Sequence, residues 1–320
     1  MGFTLSAALV GLVPSAGGSD ASDFGTSGLI RMPSARMAED STLRATIAVD
    51  EVANLYNITF QALPKVQATF RYAIFNPNNL QGSSDTLRDR SYEIKAEVLA
   101  ERYLVPQIAI GARDVLGTGA LEGEYLVASK QWKSFDVSLG IGWGRLGTRS
   151  GFSNPLRVLS DRFERRSEAR STGGTFGGES RGGSFFRGDA SIFGGIAYQI
   201  PEVRLTLLAE YESDQYDREV KLNSLEEPSA FNFALAWQPI SNILLRLSWL
   251  RKDTLGITLS SQVQAKRKVP RRYDRRIQPS NVDSNTGLPE GYDPDSWYDR
   301  MVFESELSGL YLRRASLRDG

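Results

Sequence analysis

The sequence predicts an all-β protein: an antiparallel, up-and-down transmembrane β-barrel of about 12 strands. Three observations predict it. Short segments alternate apolar and polar residues with period two, which places one set on each face of a sheet. Short and long connections alternate between those segments. The face opposite the apolar one carries charge at position after position, so it is solvated. Sorting of loops by length is what an up-and-down barrel does when one rim faces the periplasm and the other the outside. A Greek-key sandwich has no reason to do it.

Composition allows this fold and excludes others. A hydrophobic content of 41% and a mean hydropathy of −0.30 resemble a soluble protein, and no run of about 18 apolar residues could form a membrane helix. Barrel strands carry only about half their residues apolar, so average hydropathy hides them. Lys plus Arg and Asp plus Glu are both 38, leaving no excess charge to attract nucleic acid. Cysteine and histidine are absent. That excludes disulfides, thiolate chemistry, Cys-ligated zinc, a Cys-attached lipid and a Ser-His-Asp triad.

Taken in order, residues 1–24 read as a signal-like leader with an apolar core and a small-residue end, although no basic residue precedes Arg31. Residues 25–42, beginning GTSGLIRMPSAR, are punctuated by Gly, Pro and Ser and read as a loop or plug. The strands fill 43–263. Leu43 to Val49, Tyr56 to Ala62, Val66 to Tyr72 and Tyr92 to Val98 alternate cleanly, followed by 107–114, 122–130, 135–144 and 190–199. Val203 to Tyr211, Phe231 to Trp237, Ile243 to Trp249 and Leu255 to Leu259 complete the set. Phe135, Val137, Leu139, Ile141 and Trp143 give the widest apolar face, opposite Asp136, Ser138, Gly140 and Gly142.

Short turns fall at 63–64, near Pro106, and at 131–134, 200–202 and 239–242. Long polar connections fall at 74–90, 115–121, 145–189 and 212–230. Aromatics, Tyr125 and Trp143 among them, gather near strand ends, as interfacial girdles would require. The longest loop, 145–189, is Gly-rich and Arg-rich. It reads either as a constriction folded into the lumen or as a surface loop. Residues 264–300 read as a periplasmic linker with a basic run at 266–276, and 301–320 as the start of an α/β module cut off at Gly320.

The strings GTSGLIRMPSAR (25–36), PQIAIGARDVLGTGALEGEYLVASK (106–130), FDVSLGIGWGRLG (135–147), FFRGDASIFGGIAYQ (185–199) and EYESDQYD (210–217) resemble the YjbH/GfcD family of exopolysaccharide- and capsule-associated outer-membrane proteins. The resemblance covers most of residues 25–260 in order and spacing. It implies a Gram-negative outer-membrane barrel taking part in exopolysaccharide or capsule secretion or assembly, without catalysis. The implied partners are outer-membrane lipid, polysaccharide and periplasmic polysaccharide-export proteins. The family is about twice this length, and its members often carry an N-terminal lipid-anchoring Cys that is missing here. The alternative that these strands are half of a larger or double barrel therefore stays open.

No motif carries chemistry by itself, and no cofactor, metal site or catalytic residue is expected. Arg113 and Glu124 are read on the lumen face of adjacent strands, where they could pair with each other or contact a sugar. Asp114 at the loop between them, Lys130 on the same face, and Arg145 and Arg187 in the long loop complete the candidate substrate-binding set. The carboxylates of Glu122 and Glu124, or of Glu210 and Glu212, lie about 7 Å apart by strand rise. Glycosidase spacing permits that, but any charged strand offers it. The alternatives to a secretion barrel are a structural or assembly outer-membrane protein without a conducting pore, and a secreted carbohydrate-binding or carbohydrate-hydrolysing β-sandwich.

Overall fold

The computed structural model describes residues 20–75, 88–117, 119–166, 184–221, 228–264, 296 and 300–301. Twelve antiparallel strands close into one barrel, each paired with its neighbours in sequence. They are β1 (Thr42–Val49), β2 (Ala53–Leu63), β3 (Val66–Phe75), β4 (Arg88–Leu99), β5 (Gln107–Arg113) and β6 (Gly123–Trp132). Then come β7 (Phe135–Gly144), β8 (Ser191–Ile200), β9 (Leu205–Tyr211), β10 (Phe231–Ile240), β11 (Ile243–Leu250) and β12 (Thr254–Gln264). Closure runs through β1 and β12, from Thr42 opposite Gln264 to Val49 opposite Ile257. These strands are therefore not half of a larger barrel. Among the described residues no helix is long and apolar enough to cross a membrane, and the one α-helix is the short α1 (Asp217–Lys221).

A second compact unit spans 267–320, and only residues 296, 300 and 301 of it are described. The linker and module read at 264–300 and 301–320 lie almost wholly outside the described residues, as do leader residues 1–19.

Alternation sets the two faces. On β1, Leu43, Ile47 and Val49 point out while Arg44, Thr46 and Ala48 point in and are buried. On β11, Leu245, Leu247 and Trp249 are exposed while Arg246, Ser248 and Leu250 are buried. Outward aromatics pair across strands: Phe135 with Tyr198 at 4.7 Å, Phe70 with Tyr92 at 5.3 Å, Tyr211 with Phe231 at 5.5 Å. They lie toward both rims.

One rim carries the short turns at 64–65, 100–106, 133–134, 201–204 and 241–242. The other carries the long connections, plus two tight turns at 50–52 and 251–253. One strand start moves. Pro201–Val203 forms a 3-10 turn and Arg204 adopts φ 53°, so β9 begins at Leu205 and Arg204 is in the turn, not in the lumen.

Two predicted girdle aromatics have other roles. Tyr125 is buried in the lumen, above Gly111 of the next strand. Trp143 points outward but is covered by Phe186 of the long loop, ring to ring at 5.2 Å. Phe193 repeats the first arrangement over Gly140, where an added Cβ would sit 2.3 Å from the ring. An aromatic laid over a cross-strand glycine fills the lumen wall without steric conflict. Gly140→Val should therefore push Phe193 off its seat and cost about 1–3 kcal/mol. The check is the temperature at which the folded band is lost on a gel; an unchanged midpoint would contradict this packing.

Candidate functional site

The lumen is not empty. Residues 20–36 fold inside it as an irregular hairpin, with isolated bridges between Ala21 and Ser27 and between Gly28 and Pro33. The leader boundary read at residue 24 therefore falls inside this segment: Ala21, Ser22, Asp23 and Phe24 are buried in the lumen with the rest. Small residues make the tight path possible. Gly25 has φ +83°, and a Cβ there would meet Asn57 at 2.4 Å, so only glycine fits.

A backbone without regular structure has orphan donors and acceptors that must be paired when buried. Here the barrel wall pairs them. The Glu210 carboxylate accepts from the amides of Ile30, Arg31 and Met32 at 2.8, 2.9 and 2.9 Å, steadied by Asn232 at 3.1 Å. Lys95 donates to the carbonyls of Ser27, Ser34 and Arg36 at 2.8, 3.3 and 2.6 Å. Arg246 donates to those of Ala21 and Leu29 at 2.6 and 3.1 Å and pairs with Asp23. Arg71 reaches the Phe24 carbonyl at 2.7 Å and Arg113 the Arg31 carbonyl at 2.9 Å.

The segment has side-chain anchors at both ends of the lumen. Toward the long-loop rim, Arg31 pairs with Asp50 at 2.8 Å and with Glu212 at 3.2 Å. Burial works against the Asp50 charge, but Arg251 and Arg31 outweigh it and hold its pKa below the ordinary value. Toward the short-turn rim, Arg36 makes a two-pronged contact with Asp136, both arms 2.8 Å. The apolar side chains Leu29, Met32 and Ala35 pack against Tyr125, Val127 and Phe193. With Arg71, Lys95, Arg246 and Arg251 fully buried, the lumen is filled.

The six predicted site residues are not brought together. Arg113 does face the lumen, where it lies 3.4 Å from Glu93. Glu124 does not: Ala112 stands opposite Glu124 and Arg113 opposite Gly123, so Glu124 and Lys130 share the outward face with Leu126. The expected Arg113–Glu124 pair therefore does not form. Inward on β6 are Tyr125 and Val127, which pack against the plug, and Ser129, whose hydroxyl accepts from the Ala35 amide; this reverses the sequence reading of that strand.

Glu124 is instead capped by the long loop, with Arg166 at 2.8 Å and the Phe186 amide at 2.9 Å. The same guanidinium holds Glu122 at 2.6 Å. Lys130 pairs with Glu101 at 2.9 Å near the short-turn rim. Arg145 binds Asp214 at 2.7 Å and Glu219 at 2.9 Å. Arg187 lines an opening of about 310 Å³ at the long-loop rim, beside Gly144, Gly188, Arg166 and Asp189. Of the described part of the 145–189 loop, Leu146 thus joins the lumen cluster of Leu29, Met32 and Phe193, whereas Arg166 and Phe186 cover the outside of β6 and β7. Its Gly-rich part, 171–183, lies outside the described residues.

Asp114 sits just past β5 with φ 57° and accepts from the Leu121 amide at 3.2 Å. Burial first, and then the nearby Asp89 carboxylate, push its pKa up to about 6. Its proton is thus held more tightly in the folded state than in the unfolded chain. Stability should therefore fall as pH rises from about 4 to about 6 and stay level above that, a loss of about 3 kcal/mol. Asp114→Asn removes the charge and suits the left-handed backbone. It should raise the unfolding temperature at pH 7.5 and leave it nearly unchanged at pH 4; equal effects at both pH values would contradict the assignment.

The residues that hold the plug, Glu210, Lys95, Arg246 and Arg71, were legible in sequence only as lumen charges. Arg246 stands out as an ion between small or apolar inward neighbours, Leu244 and Ser248; Lys95 lies between Glu93 and Glu97, and Glu210 beside Glu212.

Comparison with known proteins agrees with the sequence resemblance. The YjbH family, described as exopolysaccharide biosynthesis protein YbjH, matches residues 20–308. A curated relative from Escherichia coli (strain K12), an uncharacterized lipoprotein YjbH, is 35% identical over 249 residues, 76% of this chain. The chain spans only 35% of that relative's length.

Among solved structures, a KdgM porin in complex with disordered oligogalacturonate is 10% identical. It covers 70% of this chain and 98% of its own, at a TM-score of 0.37. A NanC porin is 10% identical, covers 68% and 97%, and has a TM-score of 0.34. Outer membrane phospholipase A from Escherichia coli is 8% identical, covers 70% and 96%, and has a TM-score of 0.30.

Proposed function

The chain belongs to the YjbH family of exopolysaccharide biosynthesis proteins, and from that premise we propose that it is a plugged outer-membrane barrel serving exopolysaccharide or capsule secretion or assembly, without catalysis. One observation carries the membrane reading. A closed barrel of strands 7 to 12 residues long turns an apolar, aromatic-rimmed face outward all the way round. Strands of about this length span a hydrocarbon core, and closure leaves no unpaired edge in lipid. The short-turn rim would then face the periplasm, where export proteins meet it, and the long loops would face outside, toward polysaccharide.

The absence of catalysis is supported by what holds the carboxylates. Glu122 and Glu124 are bridged by Arg166. Glu210 is spent on plug amides, and Glu212 on Arg31 and Asn232. Neither pair is left facing an open cleft in which a water and a glycosidic bond could meet.

The filled lumen favours a second, narrower reading in the same membrane: an assembly component that conducts nothing while the plug is seated. Fractionation tests the shared claim. The chain should sediment with outer membrane and run faster on a gel before boiling than after. Recovery as a soluble monomer without detergent would overturn it. Deleting the chain should lower released exopolysaccharide; undiminished release would overturn the secretion role.

A further inference from the structure

We propose that the wall groups gripping the plug form a binding site for an extended acidic glycan, and that the plug occupies this site in the glycan's place. The inference rests on the exopolysaccharide reading and deepens it. Its basis is what the wall touches. Arg71, Lys95, Arg113 and Arg246 all donate to main-chain carbonyls of the plug, eight in total. Glu210 accepts from three consecutive plug amides. These contacts read a series of acceptors and donors along an extended chain and ignore side-chain identity. A polysaccharide offers such a series in its hydroxyls, ring oxygens and carboxylates. With the plug withdrawn, Arg71 and Arg113 keep Glu93, whereas Lys95 and Arg246 lose the plug carbonyls and Asp23; those two cations favour a chain that carries negative charge, since charge-assisted bonds are the stronger ones.

Topology lets the plug yield. It enters and leaves at one rim: Asp20 meets Gln238 at 3.4 Å, and Ala38 and Ser41 bond Gln61 at 3.2 and 3.0 Å, all beside the short turns. The segment from Asp20 to Ala38 can therefore withdraw toward that rim as a loop. Lys95, whose hydrogen bonds all go to plug carbonyls, loses all three when the plug withdraws. Water can take their place, and an acidic glycan offers charged acceptors that water does not.

The chain has no cysteine, so one introduced pair can lock the plug. The Ala35 amide donates to the Ser129 hydroxyl at 2.8 Å, which makes A35C/S129C the natural pair. Binding of mannuronate hexamer and of maltohexaose to the purified full chain in detergent is measured by calorimetry, oxidised and reduced. Arg31→Ala, which frees the plug tip without touching the proposed site, is added in a second protein. Reduced protein, and Arg31→Ala more strongly, should bind the acidic hexamer at least tenfold tighter than oxidised protein, and tighter than maltohexaose. Adding Lys95→Met should remove most of that gain.

Equal affinity in both redox states, no binding by reduced protein, or equal affinity for the neutral hexamer would each overturn the inference. If Arg31→Ala fails to fold, the redox comparison alone decides. The functional reading is judged apart: unchanged exopolysaccharide release on deletion overturns it whatever the lumen binds.

Discussion

Glu210→Ala is expected to turn a silent barrel into a leaky one. Its carboxylate is the acceptor for three consecutive amides, Ile30 to Met32, at the turn of the plug. Among the described residues these three amides donate to Glu210 alone. An unsatisfied buried donor costs about 1–3 kcal/mol, and three adjacent ones cannot all relax onto water while Leu29 and Met32 remain packed. The plug should loosen before the barrel opens, because the strand ladders do not depend on it. In a planar bilayer, wild-type protein should give few or no current steps, and Glu210→Ala frequent ones, with the folded gel band lost several degrees lower. Glu210→Gln keeps one acceptor oxygen and should fall between. Identical silence from Glu210→Ala and wild type would mean that the amides are not what seats the plug.

The second large effect is expected at Glu93. This fully buried carboxylate is shared by Arg71 at 2.7 Å and Arg113 at 3.4 Å, and accepts from the Tyr125 hydroxyl at 2.9 Å. Both guanidinium groups also lie over the Phe24 ring, at 4.7 and 4.3 Å. Removing the anion leaves two like charges facing each other in a filled lumen, which costs about 3–5 kcal/mol. Glu93→Ala should therefore unfold at markedly lower urea than wild type. The triple change Arg71→Met, Glu93→Leu and Arg113→Met should recover much of the loss, since replacing a whole buried ion cluster by apolar groups is often neutral. A Glu93→Ala loss below about 1 kcal/mol would show that the cluster is wetter and looser than described.

The barrel itself was legible because its two faces alternate in chemistry, apolar outward and largely polar inward. Leu43, Ile47 and Val49 against Arg44 and Thr46 is a local pattern, and loop length sorts by rim. The placement of Glu124 was not legible, because the rule that the inward face is polar fails where the plug is apolar. Tyr125 and Val127 look like lipid-facing residues until Leu29, Met32 and Ala35 are known to lie opposite them. The cap on Glu124 is equally non-local: Arg166 is 42 residues away. Glycine and proline marked residues 25–36 as irregular, but the grip of Glu210 on Ile30 spans 180 residues. Only closure of the barrel brings those two together.

The central claim is that residues 20–36 fill the lumen of their own barrel. Disulfide formation in the A35C/S129C protein, in isolated outer membranes, tests it most directly. The account predicts near-complete intrachain bonding on mild oxidation and, before oxidation, little labelling by a bulky water-soluble maleimide at either position. Ready labelling of both cysteines with no intrachain bond would place the segment outside the barrel and contradict the claim.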